Sequence, residues 1–265
     1  MFFSWLSYGQ LEEPIKIVSW NVFLRPGFLT DNQLGRVDSI GAYLNNTGAD
    51  VLVLQEVFHR RARKRLVKDL IAKYPYHTKF GRTSLLGVSS GVLIFSKSEI
   101  VKEKHVYFKK AIKADQLAKK GGVLAVVSVN GKSIDVIGTH LQAGGGEKGA
   151  AIRQKQILQL NTLPTTIHRP TFFVGDFNIH RHTEAYRKLV KKLYCDNSTP
   201  EGKHRHTANF DDQDLMPTSG KPKWIDFILS RKASRAKIQE SYIEQPMISI
   251  NGEDQRLSDH NPIIS

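Results

Sequence analysis

The stretch PTFFVGDFN (170–178) is nine residues long and ends in a way that a structural strand has no need for. Phe172, Phe173 and Val174 form a continuous apolar run of strand length, as a strand buried on both faces requires. A glycine follows, and then Asp176 and Asn178, two apart. A strand-ending Asp or Asn is ordinarily a turn former. The same construction recurs, however. IKIVSWN (15–21) ends at Asn21, DVLVLQE (50–56) at Glu56, and SIDVIGTH (133–140) at His140. WIDFI (224–228) sets Asp226 inside a strand, and LSDHNP (257–262) supplies Asp259 and His260. Strand ends gather loops at one edge of a sheet, and loops on a rigid scaffold are where catalytic groups sit. Carboxylates, amides and imidazoles repeated at that position exceed what turns alone require.

Further strand patterns lie at GVLIFS (91–96) and VLAVVSV (123–129), and NGKS (130–133) between two of the runs reads as a hairpin turn. Helical periodicity sits between strands. Val37, Ile40 and Leu44 share one face. Ala62, Leu66 and Leu70 share another, with Val67 and Ile71 beside them, and Ala150, Ile157 and Leu160 mark a third. The mixture predicts two sheets packed face to face with helices outside, an α/β sandwich. No repeat, low-complexity segment or Pro/Ser-rich linker interrupts it, so one domain is expected over 1–265.

The polar strand ends fit metal-assisted phosphate-ester hydrolysis. Asn21 and Glu56 offer hard oxygen ligands, and their sparseness suits Mg²⁺, which keeps several waters. Asp176 and Asn178 can point into one pocket, one holding water or accepting a proton, the other donating to phosphate. His140 and His260 suit acid, base or phosphate-donor roles. Asp226 can fix the tautomer of a histidine. His260 is expected as the general base, with Asp176 polarising the same water and His140 serving the leaving group or phosphate.

Taken in order, the Asn after the first strand, "QE", "GDFN" and "SDH" resemble the endonuclease/exonuclease/phosphatase superfamily, and they span residues 15–262. The resemblance implies a DNase I-like four-layer α/β sandwich and a Mg²⁺ site, with Mn²⁺ or Co²⁺ as substitutes. NVFLRP (21–26), LQEVFHRRARKRL (54–66), YPYHT (74–78) and GTHLQA (138–143) are similar to the neutral sphingomyelinase branch. So are Arg153 and Gln156 behind GTHLQA, ADQLAKKG (114–121) with Asp115 and Lys120, and HRHTANFD (204–211) with His206. That branch implies hydrolysis of sphingomyelin or a related choline phospholipid to ceramide and phosphocholine, with Asp115, Lys120, Arg153, Gln156 and His206 on the substrate side. A Mg²⁺-dependent endonuclease or a phosphoinositide phosphatase is the alternative on the same fold. A catalytically dead module that binds anionic lipid is a further alternative, and the intact strand-end set argues against it.

The chain departs from secreted bacterial sphingomyelinases in three places. Ser89 and Ser90 stand where those enzymes carry an acidic pair for a peripheral metal. PMISINGEDQRLSDH (246–260) has no aromatic residue where they carry a membrane-inserting aromatic hairpin. The single Cys195 excludes an internal disulfide. Membrane contact is therefore sought elsewhere, at MFFSWL (1–6) and PGFLT (26–30). The net charge of +14 favours polyanions, with anionic lipid assisting at a membrane surface and nucleic acid as the alternative substrate. HRRARKRLVK (59–68) reads as a solvated helix face, KKLYCDNSTPEGKHRH (191–206) as a surface loop, and His180, His182 and His204 as loop histidines. No apolar run approaches the ~18 residues of a membrane span. The start lacks the basic n-region and cleavage site of a signal peptide. A monomer is expected, in a secreted or peripheral-membrane setting in preference to a cytoplasmic one.

Overall fold

The computed structural model describes residues 14–265 apart from 30, 85–87, 198–199, 209–214, 216–220, 235–236 and 251. MFFSWL, Thr30 of PGFLT and the end of HRHTANFD lie outside the described residues. In chain order the elements are β1 (Ile17–Leu24), α1 (Gln33–Asn46), β2 (Val51–Val57), α2 (Arg60–Leu70), β3 (Tyr76–His77), β4 (Leu93–Ser96), β5 (Ile100–Tyr107), β6 (Gly121–Val129), β7 (Lys132–His140), α3 (Gly146–Leu160), β8 (Thr171–Asp176), α4 (Glu184–Leu193), β9 (Cys195–Asn197), β10 (Asp226–Arg231), β11 (Tyr242–Ile243), β12 (Met247–Ile250), β13 (Glu253–Arg256) and β14 (Ile263–Ile264). One sheet runs β11-β14-β1-β2-β4-β3, the other β5-β6-β7-β8-β10-β9, and β12-β13 is a separate hairpin.

Strand alternation builds the layers. Ile17, Val51, Val53, Ile134, Val136, Phe172, Val174 and Ile228 meet between the sheets. Their neighbours Val18, Trp20, Leu52 and Leu54 face the other way and bury α1 and α2 through Val37, Ile40, Leu44, Ala62, Leu66 and Leu70. Ile137, Phe173, Phe227 and Leu229 do the same for α3 and α4. The result is helices, sheet, sheet, helices. Each sheet has one parallel pair, β1 with β2 and β7 with β8. The crossover helices α1 and α3 link these pairs, as a parallel connection demands.

The turn at Asn130 and Gly131 has both residues left-handed (φ 48° and 75°), the signature of a type I′ hairpin, and it joins β6 to β7. Gly175 is the glycine of GDFN. It pairs with Thr139, has φ 142°, and a Cβ there would lie 2.0 Å from the Thr139 carbonyl oxygen. Gly175→Ala is expected to cost about 3 kcal/mol or more, lowering Tm by roughly 6–12 °C in a chain this size. An unchanged melting temperature by differential scanning calorimetry would contradict the close approach.

Elements absent from the sequence reading are those without a continuous apolar run. β5 is an edge strand paired with β6, and it exposes Val101, Lys102 and Lys104 while none of its residues is fully buried, so it needs no continuous apolar run. α4 is capped by Thr183, whose hydroxyl accepts from the Tyr186 amide, and it buries Tyr186, Leu189 and Leu193. The expected surface loop at 191–206 is corrected at its start. Leu193 closes α4 and Cys195 opens β9, both fully buried, because the apolar pair spans the outer face of β10. α2 is the solvated face expected of HRRARKRLVK: Ala62, Leu66 and Leu70 point inward while Arg60, Arg61, Lys64, Arg65 and Lys68 are exposed.

Candidate active site

Parity along the strands decides what meets at the edge. Asn21 lies in step with Ile17, Asp176 with Phe172 and Val174, Asp226 with Ile228, and His140 with Ile134 and Val136, all of them on the face between the sheets. At the C-terminal ends of β7 and β8 the apolar filling gives way to polar groups. His140 is in register with Asp176, and Asp226 with Asp176 across β10. Glu56 breaks this rule. Alternation alone would put it on the helix side with Leu52 and Leu54. Its backbone is left-handed (φ 57°), a strained setting for a glutamate, and the turn redirects the carboxylate toward Asn21.

The groups then form one connected set. Asn21 Nδ2 lies 3.2 Å from Glu56 Oε1 and 3.3 Å from Asp176 Oδ2. Asp226 Oδ2 pairs with His260 Nδ1 at 2.9 Å, so of the two histidines it is His260 that Asp226 orients. His260 Nε2 points at Asp176 Oδ2 from 3.9 Å, and His140 Nε2 approaches the same oxygen at 3.4 Å. Lys120 is buried and its ammonium is held three ways: 2.8 Å from Asp115 Oδ1, 3.1 Å from the Leu141 carbonyl, and 2.9 Å from His140 Nε2. Asn178, left-handed at φ 51°, turns its amide back to Asp176 Oδ1 (2.8 Å) and donates through Nδ2 to the Leu141 carbonyl (3.3 Å).

Charge and burial act in opposite directions here. Burial alone would lower the pKa of His260, but Asp226, Asp259 and Asp176 around it raise it well above the ordinary histidine value. Burial lowers His140, and the adjacent Lys120 lowers it further, so this imidazole stays neutral. Burial, reinforced by Asp226, pushes the Asp176 carboxyl up to about 7. Burial, with Glu56 adding to it, pushes Asp259 up to about 7. Carboxylates crowded in a dry site are what a hard divalent cation relieves. Asp176, Asp226 and His260 place ligand atoms within 4.8 Å of one another. Both sides of His260 are already committed to carboxylates, however, so that trio is better suited to moving a proton. Glu56, bonded to Asn21, offers a further hard oxygen donor outside that trio. Asn21 belongs at the margin of a cation site there, because the amide nitrogen is the atom facing the carboxylates while Oδ1 accepts from the Phe23 amide at 3.2 Å. Asp226 Oδ1 and His140 Nδ1 are buried without a hydrogen-bond partner among the described residues.

The substrate-side expectations divide. Asp115 and Lys120 enter the centre through the contact with His140. Arg153 and Gln156 brace a loop: Arg153 Nη1 donates to the carbonyls of Gln142 and Gly144 (2.8 and 3.0 Å), and Gln156 Oε1 accepts from the Gln142 amide (2.9 Å). This is a correction of role for Gln156, which is buried and spent on backbone. The three glycines that lead into and open α3 are all left-handed, with φ of 52°, 81° and 53° at Gly144, Gly145 and Gly146, which lets the loop turn without a side chain. His206 is exposed, and the titratable groups beside it are His180 and His182, not Asp176 or Asp226. In HRHTANFD it is Thr207 that reaches the site. Its hydroxyl accepts from the amides of Ile225 (3.0 Å) and Asp226 (3.2 Å) and so fixes the start of β10. Ser258 was also missed: it donates to the Asn21 carbonyl (2.5 Å) and accepts from the His260 amide (3.2 Å). Its place in "SDH" was the available signal. Ser89 and Ser90 are buried and accept from the backbone amides of Gly91 and Val92. Phe28 is exposed, whereas β12 and β13 form a hairpin with Met247 exposed.

These features are shared with known proteins. The chain is 29% identical to a sphingomyelinase C of Bacillus cereus, over 88% of this chain and 79% of that one. A beta toxin of Staphylococcus aureus superposes with a TM-score of 0.84 at 27% identity, covering 95% of this chain and 99% of that chain. A mutant of that toxin solved with bound magnesium ions superposes with a TM-score of 0.81 at 25% identity, covering 94% and 98%. The fold is the DNase I-like sandwich, and the similarity makes the chain a hydrolase related to the sphingomyelinases. Residues 18–260 match the Endonuclease/Exonuclease/phosphatase family, and the chain belongs to that family.

Proposed function

We propose that the protein is a Mg²⁺-dependent phosphodiesterase that hydrolyses sphingomyelin or a closely related choline phospholipid to ceramide and phosphocholine. One observation carries the reading: Asp176 is flanked by two histidines in opposite electrostatic states, His260 on a carboxylate and His140 on an ammonium. Glu56, with Asn21 beside it, would hold the cation, which when bound would supply charge neutralisation at a phosphate oxygen and at the leaving oxygen. His260, held through Nδ1 on Asp226, would in its neutral form take a proton from water at Nε2. Asp176 orients that water. The water oxygen bonds to phosphorus, the bond from phosphorus to the ceramide oxygen breaks in line, that oxygen takes a proton from solvent, and the proton held on His260 returns to solvent. Lys120 and the neutral His140 stand on the phosphate side, where their donors stabilise the charge that develops. Asn178 holds the loop carrying Leu141 against Asp176.

The B. cereus relative supports the choline phospholipid as substrate. The +14 charge supports assistance by anionic lipid. Purified protein with Mg²⁺, offered sphingomyelin in detergent micelles, phosphoinositides and plasmid DNA side by side, is expected to release phosphocholine from the first. Its rate on pure sphingomyelin/phosphatidylcholine vesicles is expected to be lower, to rise when anionic lipid is added, and to fall again with salt, since screening acts over a Debye length of ~8 Å. Cleavage of DNA with sphingomyelin untouched would replace this reading with a nuclease.

A further inference from the structure

We propose that a cationic pocket at the base of the β12–β13 hairpin binds the phosphate of an acidic phospholipid headgroup; the inference rests on the phospholipid reading above. The pocket has a volume of about 280 Å³, and its lining includes Lys203, His204, Arg205, His206 and Arg256. No carboxylate is among the described lining residues. Three permanent cations and two imidazoles converging on one concavity select an anion; Arg205 donates through Nη1 to the Pro200 carbonyl and Arg256 through Nη1 to Asn261, and a guanidinium so held on one side suits phosphate oxygens on the other. Lys203 and Arg205 stand exposed on the wall, while Arg256 is buried in the floor with Nη1 3.1 Å from Asn261 Oδ1.

Size and position identify the source of the phosphate. Ligand pockets run from roughly 300 to 1,000 Å³, so this one holds a headgroup and not an acyl chain. Gln245 and Arg256, which flank and end the hairpin, both line it. Met247 on the same hairpin is 40% exposed. Ile248 packs on the core, which leaves Met247, among the described side chains, as the exposed apolar contact of that strand; an enzyme that meets a phospholipid surface with this end would hold the pocket at headgroup depth, which free phosphate does not require. The pocket is distinct from the catalytic groups yet shares their supports. Asn261 follows His260, and its amide donates to the Thr207 carbonyl at 2.8 Å. Thr207 in turn fixes the Asp226 amide. A headgroup held here would anchor the enzyme with its catalytic edge beside the surface, a device suited to a chain whose hairpin segment lacks aromatic residues.

Vesicle binding in excess chelator, where no turnover occurs, tests this separately from catalysis. Phosphatidylcholine vesicles with and without phosphatidylglycerol are the probe. The double variant Lys203→Gln/Arg205→Gln is expected to lose roughly tenfold or more of the phosphatidylglycerol-dependent binding. Lys64→Gln/Lys68→Gln, which removes the same charge from the exposed face of α2, is expected to keep most of it. Equal losses in the two variants, or wild-type binding by the first, overturn the proposal. Inorganic phosphate is the second arm. If it shifts the His206 ring resonances while phosphatidylglycerol adds nothing to vesicle binding, the occupant is free phosphate and the lipid assignment is overturned. Binding as expected, together with no phosphocholine release from sphingomyelin micelles in the presence of Mg²⁺, would leave the headgroup site standing and sink the catalytic reading instead.

Discussion

Replacing His260 by alanine is expected to lower kcat by ~10²–10⁴, the usual worth of a positioned proton transfer. The imidazole is held between two buried carboxylates, with Asp226 Oδ2 2.9 Å from Nδ1 and Asp176 Oδ2 3.9 Å from Nε2. A merely structural role would show as a loss of folding, so the variant's melting curve is measured alongside its rate. A loss below about tenfold with the fold intact would move the base role elsewhere. Asp226→Asn gives the finer readout. Asp226 raises the His260 pKa, so removing its charge lowers that pKa. The deprotonated ring then persists to lower pH, and the acid limb of the kcat/KM profile moves to lower pH while kcat falls through lost orientation. A profile that keeps its acid limb in place would show that His260 is not the group that titrates.

Glu56→Gln is expected to remove Mg²⁺-dependent activity and to weaken Mg²⁺ binding by more than the ~10–100-fold seen when outer partners of a metal ligand are lost. The substitution keeps the shape of the side chain and its left-handed backbone, so the fold in chelator is preserved. Removing one of several crowded carboxylates relieves repulsion on Asp259, so the metal-free protein should melt no lower than wild type. Thermal shift against Mg²⁺ concentration is the second readout, because a ligand that binds only the native state stabilises it by RT ln(1 + [L]/Kd). Wild type should rise with Mg²⁺ and the variant should not. Identical Mg²⁺-dependent shifts in the two proteins would place the cation away from Glu56. Asn21→Ala is expected to fall between them, since its amide nitrogen rather than its oxygen faces the carboxylates.

Much of this was legible in the sequence because strands speak locally. Continuous apolar runs such as DVLVLQ and PTFFVG marked the central strands, and the polar residues that follow them marked one edge of the sheets. The type I′ turn at Asn130–Gly131 was likewise local, two residues whose side chains tolerate φ > 0. What carried little local signal was missed. The edge strand β5 needs no continuous apolar run, and the charged surface of α4 obscured its buried stripe of Tyr186, Leu189 and Leu193.

By itself, then, the sequence determined the layers, the ends of the strands and the set of polar residues delivered there, since side-chain period and burial are properties of each segment alone. Only the tertiary structure decided the partnerships. Asp226 went to His260 and not His140, Lys120 came to His140 from the end of a turn, and Asn21 met Asp176 across 155 residues. Glu56 reached the site by a left-handed residue that reversed the parity of its strand, and Thr207 proved to be the working residue of its segment, not His206. Each of these contacts joins segments whose proximity is set by strand order and crossover connection. A hydrogen bond depends on ångström-scale distance in space, and distance along the chain does not encode it.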